Sequence, residues 1–65
     1  MRRVWILLEC QYYREEPWIE SVHLTKKQAE AQSRKQGFKW NREQGIFLND
    51  DMQHYRRIER HEVSE

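Results

Sequence analysis

The sequence predicts an α+β fold, an antiparallel four-stranded sheet in β-β-α-β-β order with one helix packed on one face. Three observations carry this. Residues 2–13 (RRVWILLECQYY) and 17–24 (PWIESVHL) alternate and are rich in bulky and β-branched types, separated by REEP. Residues 25–37 carry helix start and stop signals but little apolar content. Residues 46–49 (IFLN) and 54–63 (HYRRIERHEV) return to strand composition, joined through DDMQ.

The first two segments read as a β-hairpin, with Pro17 at a strand start, where its missing N–H is tolerated. Side chains alternate with a period of two, so a one-residue slip would exchange the faces. Val4, Ile6, Leu8, Cys10 and Tyr12 share one face of the first strand, and Trp18, Val22 and Leu24 share one face of the second. Placing both sets on one side pairs residues whose numbers sum to an even value, such as Leu8 with Val22 and Ile6 with Leu24. Arg14, Glu15 and Glu16 are then left as the loop, and Glu20 falls awkwardly among apolar neighbours.

Thr25 is a favourable N-cap, and Gln28 three residues on completes a capping-box pattern. Gly37 is the left-handed residue expected past a helix end. The helix is therefore predicted over residues 26–36, with Ala29, Ser33 and Gln36 facing inward at i, i+4 and i+7. Ala31 lies about 200° from Ala29 around the axis and cannot share that stripe. Bulk must come from the sheet and from Phe38. Beyond the helix, FKW is a short strand candidate and NREQG a turn.

Sixty-five residues allow one domain, residues 1–65, whose small core leaves a thin stability margin. The chain is 35% charged and 37% hydrophobic, with three Trp, three Tyr and two Phe, too aromatic for a disordered tail. Its longest uncharged apolar run, Val4 to Leu8, is far below the roughly 20 residues that span a bilayer. Met1-Arg-Arg lacks the pattern of a secretory signal, and the lone Cys10 excludes an internal disulfide framework. A cytoplasmic protein with no membrane association is expected.

A second expectation concerns the face opposite the helix. Turning the hairpin over brings up Trp5, Leu7, Tyr13 and Ile19, and one helix cannot cover both sides of a sheet. Each large apolar side chain left wet forgoes about 1.5–3 kcal/mol. Closure of the sheet, a homodimer, or capture of another protein would cover that face, and these four residues are the predicted partner-binding set.

The residue types for catalysis are present without the spacing. His54 and His61 are seven apart and point to opposite faces of one strand, and no Cys-x-x-Cys or His-x-x-x-His spacing exists, so no metal site is expected. Ser21 and His23 share a strand face without an orienting third group, and Cys10 lies opposite them. Neither glycine belongs to a phosphate-binding loop. No catalytic residue and no cofactor are expected. The alternative function is nucleic-acid binding through Lys26, Lys27, Arg34 and Lys35 on the helix and Arg56, Arg57 and Arg60 on the last strand. A formal net charge of only +1 and the lack of an aromatic-glycine RNA-binding signature weigh against a dedicated binder.

Taken together, RRVWILLE with PWIESVHL, the helix TKKQAEAQSRKQGF and the closing YRRIERHEV resemble small bacteriophage and prophage proteins of hairpin, helix, hairpin layout. Such helices usually carry Ala and Leu inward, where Ser33 and Gln36 stand here. The resemblance implies a phage-encoded accessory protein in a bacterial cytoplasm. By the same likeness it would act without catalysis, binding and inhibiting a host or antiviral-defence protein.

Overall fold

The computed structural model describes residues 2–14, 16–51 and 53–64. Five strands and one helix follow in the order β1 (Arg2–Gln11), β2 (Trp18–His23), α1 (Lys26–Lys35), β3 (Lys39–Asn41), β4 (Ile46–Leu48) and β5 (His54–Val63). They form one antiparallel sheet in the spatial order β2-β1-β5-β4-β3. The sheet thus has five strands rather than the expected four. Lys39–Asn41 supplies the fifth by pairing with β4. Asn41 makes this possible, since its carboxamide oxygen accepts the Gln44 N–H at 2.9 Å and its carbonyl accepts the Gly45 N–H at 2.8 Å, closing a tight turn. Gly45 takes φ 68° there, a conformation that costs glycine little.

The hairpin keeps the predicted parity but slides by two residues: Ile6 faces Val22 and Leu7 faces Ser21. Past Leu7 the register shifts, so that Leu8 faces Ile19 and Glu9 faces Trp18. Glu20 is the extra residue of this bulge, and it reaches to 3.9 Å from the Arg56 guanidinium. A bulge frees one residue from the alternation of the ladder. Glu20 therefore escapes the apolar row in which strict alternation places it, and Ile19 moves to the opposite face from the one expected.

Helix α1 begins where its sequence dictates. Thr25 Oγ1 accepts the Gln28 N–H at 3.2 Å, and Gln28 Oε1 accepts the N–H of Leu24 at 3.3 Å, one residue before the cap. A cap of this kind contributes about 1 kcal/mol. At the other end Gly37, φ 91°, donates to Arg34 O at 3.0 Å and Phe38 donates to Ser33 O at 3.1 Å. These two bonds form a Schellman motif, which satisfies the last carbonyls and turns Phe38 back into the core. Lys35 is the last helical residue, and Gln36 is its C-cap.

Ala29 and Ser33 are fully buried against the sheet, while Gln36 is exposed. The helix packs chiefly on β1, β2 and β5, over the face of Leu7, Glu9, Arg56 and Phe47. Small residues bring the helix axis close, and Leu7, Phe38 and Phe47 provide the volume. The Ser33 hydroxyl is buried with no hydrogen-bond partner among the described residues. Ser33→Ala is therefore expected to raise stability by about 1 kcal/mol, because it removes an unpaired polar group and adds a better helix former. Urea denaturation measures this, and a loss of stability would show that the hydroxyl is partnered in solution.

Candidate functional site

Two surfaces and one buried cluster hold the residues singled out from the sequence. On the open face, β1 contributes Val4, Ile6 and Leu8, to which the register adds Ile19 and Val22 from β2. Ile19 and Val22 are 60% and 55% exposed. Val4 and Ile6 are half-buried, and Leu8 is covered by its neighbours. Across from this apolar row, β5 sets a charged one. Glu59 accepts from Arg57 and contacts the His61 ring, both at 3.0 Å. At the end of the face near the hairpin loop, Tyr12 and Tyr55 lie with ring centroids 4.9 Å apart. Burial raises both the Cys10 thiol and the Tyr55 hydroxyl above their ordinary pKa, so Cys10 is a poor nucleophile at neutral pH.

The predicted partner-binding set is divided between these surfaces. Leu7 is 0% exposed beneath the helix, and Trp5 is half-buried on that same covered side. Ile19 lies on the opposite, open face, and Tyr13 is 69% exposed in the loop after β1. One helix does leave one sheet face open, but the open face is that of Val4, Ile6 and Leu8 rather than that of Trp5 and Leu7.

The cations of the alternative reading are scattered in the same way. Lys27 and Lys35 stand exposed on the helix, Arg57 lies on the open face, and Arg60 faces Trp5 across the ladder on the helix side. Arg56 is a correction to the expected basic strand surface, because it is buried. Its Nε donates to Glu9 Oε2, an η nitrogen donates to Gln36 Oε1, and its guanidinium lies 4.3 Å from the Phe38 ring centroid. His54 Nδ1 sits 3.5 Å from the other oxygen of the Glu9 carboxylate. This buried cluster ties the C-terminal end of α1 to β1 and β5.

Lys26 and Arg34 do come together, with Glu30, along one stripe of the helix. They line a cleft of about 440 Å³ whose other residues are Trp40, Gly45, Phe47 and Ile58. The cleft lies between α1, which packs chiefly on β1, β2 and β5, and the short β3–β4 hairpin beside it.

Ser21 Oγ and His23 Nε2 lie 2.7 Å apart, a contact that simple strand spacing did not suggest. Among the described residues no carboxylate is bonded to His23. No group of three or more His, Cys, Asp or Glu able to hold a metal ion occurs among the described residues. No described helix is long and apolar enough to cross a membrane. No protein-family model, curated protein or solved structure matches this chain.

Proposed function

We propose that this is a non-enzymatic interaction protein that binds another protein through its open sheet face, centred on Val4, Ile6, Ile19 and Val22. The observation that carries this reading is the apolar row left uncovered by the single helix, next to the charged row Arg57, Glu59 and His61. An apolar centre edged by polar groups is the usual anatomy of a protein contact surface. Contiguous exposed apolar area of this kind marks binding sites more often than isolated surface residues do. In the form suggested by the sequence likeness, the protein is phage-encoded, works in a bacterial cytoplasm, and inhibits a host or defence protein. A homodimer formed through the same face is the competing use of it.

The double variant Ile19→Glu/Val22→Lys tests the reading while leaving net charge unchanged. Both side chains are exposed, so circular dichroism and the thermal midpoint should stay close to those of the wild type. Capture of a bacterial partner protein, carried out with and without nuclease, should be lost. Light scattering on the unmodified chain separates the homodimer from the hetero-complex. A variant that captures the same protein as the wild type, on a monomeric chain, would reject this face.

A further inference from the structure

The cleft on the helix side is independent of the open face and has a chemistry of its own. Its floor is Phe47 and Ile58, and its outer wall is Trp40, an indole left 52% exposed whose ring packs edge-on to Phe47 at 5.1 Å. Its inner wall is the stripe Lys26, Glu30 and Arg34, spaced i, i+4 and i+8, so the Cα atoms of the two basic residues are about 12 Å apart along the helix axis. They are not equivalent. Arg34 is bonded to Glu30 at 3.3 Å and lies 5.8 Å from the Phe47 ring centroid, which places its planar group at the aromatic end. Lys26 forms no ion pair among the described residues, and it sits in the first helical turn, where the helix dipole disfavours a cation. Helix stability does not explain its placement.

We propose that this cleft binds a nucleotide, with the base stacked on Trp40 beside the Arg34 guanidinium and the phosphate held by Lys26. A half-exposed indole next to a guanidinium plane suits a flat heteroaromatic ring, and such stacking does not depend on which base is presented. A separate, uncommitted ammonium suits an anion held at a distance from that ring. The volume falls in the range of small-ligand sites. Inorganic phosphate would leave the aromatic end unused, and a neutral aromatic would leave Lys26 unused. A free nucleotide and the end of a single strand share this chemistry.

The test is a titration of the 15N-labelled full chain with adenosine monophosphate, a short single-stranded oligonucleotide, adenosine and inorganic phosphate. The Trp40 indole N–H is the reporter, assigned by its disappearance in Trp40→Phe. Nucleotide should shift that signal together with the amides of Gly45 and Ile58, while those of Val4 and Val22 stay fixed. Trp40→Ala should weaken binding about 5- to 150-fold, the loss carried by one base–aromatic stack. Lys26→Gln, on the exposed helix surface, should weaken nucleotide binding and leave that of adenosine unchanged. Tighter binding of the oligonucleotide than of the monophosphate identifies a strand as the source, and equal binding identifies the free nucleotide. Phosphate binding as tight as that of the nucleotide, or no shift at Trp40 at millimolar nucleotide, would overturn the proposal.

Discussion

Arg56→Ala is expected to destabilise the fold by about 3–5 kcal/mol, the cost of leaving one member of a buried ion pair without its partner. Glu9 and Arg56 face each other across β1 and β5 and are both nearly excluded from solvent. Removing the guanidinium would strand the Glu9 carboxylate beneath the helix, with His54 and its 3.5 Å contact as the nearest remaining cation source. It would also remove the bond to Gln36 and the stacking over Phe38, the contacts that anchor the helix C-terminus. Domains of this size rarely hold more than about 3–5 kcal/mol in total, so the variant should be largely unfolded at 25 °C. Urea denaturation followed by circular dichroism decides the matter.

The informative control is Glu9→Leu/Arg56→Met, which removes both charges and keeps similar volume. Replacing a whole buried pair with apolar groups is commonly neutral or stabilising. The double variant should therefore refold what the single one unfolds. If Arg56→Ala loses less than about 1 kcal/mol, the guanidinium is solvated and the buried cluster is absent in solution. In that case Arg56 would return to the surface, where the basic-strand reading had it.

Local signals determine most of what the sequence made legible. Thr25, Gln28 and Gly37 act within a few residues of themselves, and the helix starts and stops where they place it. The choice of covered face was not legible, because it is settled between β1 and β5, almost a chain length apart. Counted on β1 alone, Val4, Ile6, Leu8 and Cys10 outweigh Trp5 and Leu7, which points the helix to the wrong side. Pairing with β5 reverses the count, since it sets Arg56 against Glu9 and Ile58 against Leu7, and β4 then adds Phe47 to that layer. Glu9 was the available clue. A carboxylate in mid-strand between apolar residues needs a buried cation on the neighbouring strand, and the observed register supplies it in Arg56. The bulge at Glu20 was hidden for a related reason, since a residue that breaks alternation looks like a weak strand until its partner is known. The cleft lay beyond reach as well, because Lys26, Trp40 and Phe47 meet only through the helix crossing and the β3–β4 turn.

Leu7→Ala should cost about 2–5 kcal/mol, the range for truncating a fully buried leucine whose cavity cannot close. Val22→Ala should change stability by no more than about 0.5 kcal/mol, because more than half of that side chain is already in water. The two residues belong to the same hairpin and differ in the face they occupy, so together they read out which side the helix covers. If α1 lay instead on Val4, Ile6 and Leu8, the costs would be exchanged: Val22 would become a core residue and Leu7 a tolerant surface one. Partner capture adds a second axis to the comparison. Loss of capture in Val22→Ala with an unchanged urea midpoint places the contact at the open face itself. Loss in Leu7→Ala would follow the unfolding transition, and should be restored at low temperature or in a stabilising osmolyte that refolds the variant. If capture in Leu7→Ala stayed absent in a fully folded chain, the binding surface would have to include the helix side, and the division of labour between the two faces would be wrong.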